Sequence, residues 1–300
     1  MLKEKIRNFA IENWIAPEVN EDMPHGDMPG DKIAIGEDHI NKAKKIFPLL
    51  IEELKKADAD RVVVSVFGGS GVGKSEIASL LTYYLQSAGI GAYVLSGDNY
   101  PYRIPMYNDA ERLSIFRSNG LQGLTENALF DNEVKETLFK LWAEETDPDP
   151  AKVKEYPWLE KYQEYGRKAL KEYLGTRKEQ NYDEVNRIID QFKKGEDKIY
   201  LKRMGRKEEE RWYDLVDFTD TDVLVIEWTH GNNENLKGID IPILLNSTPE
   251  ETREHRRLRA RDGKTDSAFT TMVLSVEQEE LDERGRFAKI RISKAGEIMD

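Results

Sequence analysis

Residues Arg61-Val62-Val63-Val64-Ser65-Val66-Phe67-Gly68-Gly69-Ser70-Gly71-Val72-Gly73-Lys74-Ser75 decide the fold. An apolar, β-branched run passes directly into G-x-x-x-x-G-K-S, and Glu76 to Gln86 then carries apolar residues at helical spacing. Strand, glycine-rich loop, Lys-Ser and helix, in that order, is the context that a phosphate-binding loop requires. The glycines let successive backbone N–H groups curl toward a phosphate. The helix N-terminus adds partial positive charge. Lys74 can reach the β- and γ-phosphates, and Ser75 can offer its hydroxyl to Mg²⁺. The reading is a nucleoside triphosphate cradled by Gly68, Gly69, Ser70, Gly71, Val72, Gly73, Lys74 and Ser75. A glycine-rich turn that binds nothing would leave the filled motif and both flanking elements to coincidence.

Working outward, short apolar runs bounded by turn residues recur at Ala92–Ser96, Asp222–Glu227 and Ile241–Asn246. Such runs, separated by helices, suggest a buried parallel sheet. The fold class is therefore α/β: a P-loop NTPase core with a mainly parallel sheet flanked by helices, plus a helical insertion on the substrate side. Residues 61–102 and 181–300 form the core, with a helix over Asp183–Lys194. Residues 103–180 form the insertion. They hold no convincing strand, and helices are expected over Ala110–Asn119, Glu126–Glu145 and Val153–Leu174, broken at Asp147-Pro148-Asp149-Pro150. Residues 1–60 are an N-terminal extension packed on the core. Within it a short helix is expected over Leu2–Trp14, a loop over Met23–Asp31, a short strand over Lys32–Gly36 and an amphipathic helix over His39–Ala57.

Three further constellations carry chemistry. Ser96-Gly97-Asp98-Asn99-Tyr100 ends the second strand, the edge where open α/β sheets bind ligands. Asp98 there could accept the proton of an attacking hydroxyl, hold a Mg²⁺ water, or simply close an Asx-turn. Val225-Ile226-Glu227 is an apolar strand ending in a carboxylate, the Walker B pattern, so Glu227 joins Ser75 and Asp98 as a candidate around Mg²⁺. His230, three residues on, either faces a substrate or satisfies a loop carbonyl. Arg253, Arg257 and Arg261 are spaced four apart on one helix face, where they could neutralise a transferring phosphoryl group or be a solvated face. Arg103 could contact a substrate, and Tyr100 and Tyr102 could stack on it or merely pack.

Composition limits the partners. Among 300 residues, 34% are charged and the formal net charge is −12, which argues against non-specific nucleic-acid binding. There is no cysteine, so thiolate and disulfide chemistry are absent. No apolar run has the length of a signal peptide or a membrane span. The expectation is a cytoplasmic protein. The tyrosines and tryptophans of the insertion belong by default to a core or an interface, which leaves a homo-oligomer open.

Taken together, the P-loop, the Ser96–Tyr100 segment, Asn181-Tyr182-Asp183-Glu184-Val185-Asn186, Val225-Ile226-Glu227 and the Arg256–Asp262 run resemble, in order and approximate placement, the phosphoribulokinase/uridine kinase family of P-loop kinases. The resemblance covers residues 60–100 and 181–295. It implies ATP- and Mg²⁺-dependent phosphorylation of a hydroxyl on a small metabolite of sugar, nucleoside or polyol type. It casts Asp98 as catalytic base, Glu227 as Walker B acid, and Arg257 and Arg261 as lid arginines. The chain departs from the pattern after Glu227, where Trp228-Thr229-His230-Gly231 follows, and in the length of residues 103–180. The substrate side is thus rebuilt. The rival reading is a nucleotide-dependent regulator that uses the insertion to bind a protein. No N-K-x-D guanine-recognition run is present, which argues against a GTPase switch.

Overall fold

The computed structural model describes residues 2–20, 23–30, 32–259 and 267–299. In chain order the helices are α1 (Leu2–Arg7), α2 (Glu37–Ala57), α3 (Lys74–Ser87), α4 (Pro105–Glu126), α5 (Asn132–Glu144), α6 (Leu159–Lys171), α7 (Tyr182–Lys193), α8 (Arg253–Arg259) and α9 (Ala268–Gly285). The strands are β1 (Val62–Gly68), β2 (Ala92–Ser96), β3 (Lys198–Met204), β4 (Arg211–Asp217), β5 (Val223–Glu227), β6 (Ile241–Leu245) and β7 (Ile290–Ile292).

Five strands pair in the order β2-β5-β1-β6-β7, every pair parallel. β1, β5 and β6 are buried throughout, as a sheet covered on both faces demands. Val62, Val64 and Val66 point to one face, where α1, α2 and α3 bury Leu2, Ile46, Phe47, Leu50, Leu81 and Tyr84. Val63, Leu224 and Ile226 point to the other, under Tyr182, Val185, Ile188 and Phe192 of α7. The N-terminal helices are thus part of the main core. The register sets Val66 beside Glu227 and Ser96 beside Glu227, which brings the ends of β1, β2 and β5 to one edge.

Gly68 sits at φ 155, and a Cβ there would meet the Leu245 carbonyl oxygen at 2.5 Å. Only glycine lets β1 turn into the loop this close to β6.

Between β2 and α7 the chain is helical, as expected, with different limits. α4, α5 and α6 share a core of Phe116, Leu124, Leu138, Leu159 and Tyr162. Asp131 caps α5 by accepting the Val134 N–H at 2.9 Å, so that helix begins later than the expected Glu126, at Asn132. α9 packs Val273 and Val276 on Leu170 and Leu174, tying the block back to the sheet side.

One expectation is corrected: Lys32–Gly36 is no strand, and irregular backbone there feeds α2, whose N-cap is Gly36. Residues 198–217, to which the sequence reading assigns no strand, form an antiparallel hairpin, with Ile199 and Leu201 directed into the core. No helix among the described residues is long and apolar enough to cross a membrane.

Candidate active site

The carboxyl edge of the sheet opens into a cavity of about 390 Å³. Ser70, Gly71, Gly73, Lys74 and Ser75 form one wall, Glu227, Trp228, Thr229 and His230 the floor, and Asp98 enters from the β2 side. Gly73 is the N-cap of α3 at φ 98, a left-handed conformation that the loop needs to start the helix. Lys74 Nζ folds back to donate to the Gly69 carbonyl at 3.0 Å. Ser75 Oγ donates to Glu227 Oε2 at 3.3 Å, and Ser96 Oγ donates to Glu227 Oε1 at 2.5 Å. Glu227 is buried, so these two hydroxyls satisfy a carboxylate that water barely reaches.

Asp98 sits on a single 3₁₀ turn, Gly97–Asn99, and its side chain is exposed to the cavity. Gly97 lies flat on Trp228, where a Cβ would meet Cγ at 2.0 Å. The turn is held from below by Asp27 of the N-terminal segment. Asp27 Oδ1 accepts from the Ser96 N–H at 2.8 Å and from Asn99 Nδ2 at 2.9 Å. Its Oδ2 accepts from Tyr93 at 3.0 Å and Arg203 at 2.7 Å.

α8 presents to the cavity a different arginine from the two expected. Arg256 lines the cavity, and a Cβ on Gly71 would come within 2.8 Å of its Cγ. Its guanidinium donates to the Pro249 carbonyl at 2.8 Å. Arg257 is exposed and lies off the cavity wall. Arg261 lies outside the described residues.

The remaining candidates divide. Arg103 and His230 line the cavity. Tyr100 is fully buried behind the sheet edge, in the cluster that holds Tyr182, Ile226 and Trp228, and has no access to it. Tyr102 is 45% exposed and stands outside the cavity wall.

Opposite the P-loop is a wall that the sequence did not announce. Arg112 of α4 donates through Nε to Glu179 Oε1 at 2.6 Å and lies 3.4 Å from Asp109 and 3.9 Å from Glu277. Glu179 also accepts from Asn108 Nδ2 at 3.0 Å and from the Gly175 N–H at 2.7 Å. Burial pushes the Glu179 carboxyl up, but Arg112, His230 and the Gly175 N–H outweigh it and hold it below the usual range. Burial pushes Glu277 up against the pull of Arg112 and Lys74. Burial pushes His230 down to about 4, so at neutral pH it is an uncharged ring. Arg103 pairs with Tyr173 at 3.1 Å and Glu111 at 3.4 Å. Arg206 enters from the β3–β4 hairpin.

No family model matches the chain. Among curated proteins it is 34% identical over 241 residues to the bifunctional alpha-galactosidase/sucrose kinase AgaSK of Mediterraneibacter gnavus. The match takes in 80% of this chain but only 21% of that protein. Among solved structures it is similar to one from Silicibacter sp. TM1040 assigned as a fructose transport system kinase, with TM-score 0.46 and 14% identity, over 79% of this chain and 94% of that one. It is also similar to one from Bacillus stearothermophilus given as a possible uridine kinase, with TM-score 0.41 and 15% identity, over 84% of this chain and 97% of that one. Likenesses at those scores are too loose to carry weight. The 34% identity runs over a chain that sets a P-loop, an Asp-bearing turn and a Glu-ended strand on one parallel sheet edge, the α/β frame of a P-loop fold, and the chain spans about a fifth of the length of that curated relative.

Proposed function

We propose that the chain transfers the γ-phosphoryl group of ATP to a hydroxyl of a neutral sugar. One observation carries the reading: Lys74, Ser75, Asp98 and Glu227 open into the same cavity, whose far wall is built of arginines already paired with carboxylates.

At the donor end, the P-loop N–H groups and Lys74 hold the phosphates, and Arg256 covers them from α8. The residues present fit Mg²⁺. Ser75 Oγ and a Glu227 carboxylate oxygen stand together at the loop, the hard-oxygen set that Mg²⁺ shares with phosphate. Ser75, and Glu227 through water, would hold it, and it would supply positive charge to neutralise the phosphates. At the acceptor end Asp98 orients the hydroxyl. The acceptor O–P bond forms as the bond from the γ-phosphorus to the bridging oxygen breaks, the hydroxyl proton passes to Asp98, and ADP leaves.

The neutral character of the acceptor is argued from charge. Arg103 and Arg112 are tied to Glu111, Glu179 and Asp109, while Asp98, Asp109 and Glu277 line the same space. A sugar phosphate or carboxylate would meet these anions with two guanidiniums already engaged. Neutral hydroxyls suit such pairs, which offer acceptors and donors side by side. The sucrose kinase activity in the name of the Mediterraneibacter gnavus protein points the same way.

The test is ADP release from Mg·ATP with sucrose, free hexoses, polyols, uridine and a hexose phosphate, with the product identified by mass spectrometry. Turnover with a neutral sugar supports the reading. Turnover only with uridine or the hexose phosphate overturns it.

A further inference from the structure

We infer that Asp27, in the irregular segment before α2, is a positioning residue for phosphoryl transfer: it fixes the turn that aims Asp98 and, through Ser96, the carboxylate of Glu227. The inference rests on the kinase reading above.

The geometry is that of a built junction. The Asp27 side chain is 8% exposed, and all four donors it accepts come from other segments. Two of them, the Ser96 N–H and Asn99 Nδ2, flank Asp98 on either side. One carboxylate oxygen therefore grips both ends of the turn. Ser96 then passes the constraint on, because its hydroxyl donates to Glu227 Oε1 at 2.5 Å. Asn99 passes it the other way, accepting the Met204 N–H at 2.9 Å and so joining the hairpin to the turn.

The residues beside Asp27 sit equally close. A Cβ on Gly26 would stand 3.3 Å from Glu227 Oε1, and Met28 lines the cavity. The segment thus runs directly beneath the reacting groups.

A surface salt bridge would not need this arrangement. Arg203 is itself 8% exposed and pairs with Asp214 at 3.0 Å as well as with Asp27. Loss of Asp27 leaves the Ser96 N–H and the Asn99 amide without their acceptor and the turn free to rotate. A shift of about 1 Å in a reacting group is enough to cost on the order of 100-fold in rate.

The experiment uses the full chain and compares Asp27→Ala, Asp27→Asn and Tyr93→Phe with wild type. Readouts are kcat, KM for ATP, thermal midpoint, and hydrogen exchange at the amides of residues 96–100. Asp27→Ala is expected to lower kcat about 10- to 100-fold with KM for ATP within about 3-fold, and to speed exchange at residues 96–100 while the P-loop amides stay protected. Tyr93→Phe removes one donor to Oδ2 but leaves the turn gripped, and is expected to stay within about 2-fold in kcat. Asp27→Asn keeps an oxygen for the Ser96 N–H and Asn99 Nδ2 and is expected to stay within about 5-fold of wild type in kcat; a loss as large as that of Asp27→Ala would trace to charge instead of the grip and overturn the inference. If Asp27→Ala does not fold, Asn99→Ala, which removes the donor on the far side of Asp98, carries the test. Wild-type kcat in folded Asp27→Ala, or in the Asn99→Ala that replaces it, overturns the inference, and so does a kcat loss matched by an equal loss of ATP affinity. If no sugar is phosphorylated by wild type, the acceptor reading fails by itself. Basal hydrolysis of Mg·ATP, which needs Glu227 but no acceptor, then decides on Asp27: a rate equal to wild type overturns it, and a drop with ATP affinity kept supports it.

Discussion

Ser75 and Glu227 meet across the gap between the first turn of α3 and the end of β5, Oγ to Oε2, at 3.3 Å. The serine and the acid are 152 positions apart in the chain, yet the parallel register of β1 and β5 leaves them no other place to be. These two residues would hold Mg²⁺, which would supply positive charge against bound phosphates. Glu227→Gln keeps the shape and removes the charge. Turnover is expected to fall on the order of 100-fold, with part of the loss regained as Mg²⁺ is raised. A kcat titration against Mg²⁺ checks this, and an unchanged kcat at low Mg²⁺ would remove Glu227 from the ion's surroundings.

Asp98 is exposed to the cavity and contributes little to the core. Asp98→Asn is expected to lower kcat about 10²- to 10⁴-fold, with KM for ATP within about 3-fold and the thermal midpoint unchanged. Steady-state kinetics beside a thermal melt checks all three. A variant that turns over at the wild-type rate would strip Asp98 of its role as base.

The two neighbouring arginines of α8 separate cleanly. Arg256 borders the P-loop, and Arg257 faces away from it. Arg256→Ala is expected to cost about 100-fold or more in kcat, and Arg257→Ala no more than about 3-fold. If closure over bound ATP turns Arg257 inward, the order of the two losses reverses.

His230 and Glu280 give stability opposite pH slopes. A Cβ on Gly175 would stand 2.8 Å from each, so the two share one buried corner. Burial pushes His230 down to about 4 from 6.5, so its contribution is full above 6.5 and is lost as pH falls through 4. Burial, with Glu277 and Glu179 nearby, pushes Glu280 up to about 7 from 4.5 against the pull of Arg284. Its contribution is full below 4.5 and is lost as pH rises through 7. Between pH 4.5 and 6.5 the two offset. Glu280→Gln is expected to leave a chain that loses stability on acidification, and His230→Asn one that gains it, each by on the order of 2 kcal/mol across that window after solvent screening. Denaturant melts at about pH 5 and pH 7, on either side of most of the change, measure both.

Tyr100 is a stacking candidate by sequence, and its burial removes it from the cavity. Its hydroxyl finds no hydrogen-bond partner among the described residues. Tyr100→Phe is expected to keep full activity and to raise stability by about 1 kcal/mol. A loss of activity at unchanged stability would put the hydroxyl back in the chemistry.

The P-loop and the sheet that carries it were legible because their signals are local. Glycines, Lys74 and Ser75 are adjacent, and the apolar runs of β1, β2, β5 and β6 announce a sheet buried on both faces. β7 escaped because so short a strand makes no pattern. The β3–β4 hairpin escaped because its inward positions include Arg203 and its turn carries charges in place of a glycine pair. Helical spacing grouped Arg253, Arg257 and Arg261 but could not say which face meets the P-loop; contact with Gly71 picks Arg256. Asp27 was illegible for a different reason. Its four partners come from Tyr93, Ser96, Asn99 and Arg203, and no linear motif holds such a junction. The acceptor wall has the same difficulty, since Arg112, Glu179 and Glu277 lie on three separate stretches of chain.

The chain leaves the sheet edge at Pro101–Tyr102 and comes back at Glu179–Asn181. The two passages are stitched together: the Tyr102 N–H donates to the Glu179 carbonyl at 3.0 Å, the Asn181 N–H donates to the Tyr100 carbonyl at 2.9 Å, and Pro101 bridges Gln180. Everything between enters and exits through a single doorway. Residues 103–178 can therefore be lengthened, shortened or exchanged for another helical unit without rethreading any of the five parallel strands. That makes the doorway the natural pair of splice points for grafting another helical unit onto an unaltered P-loop frame.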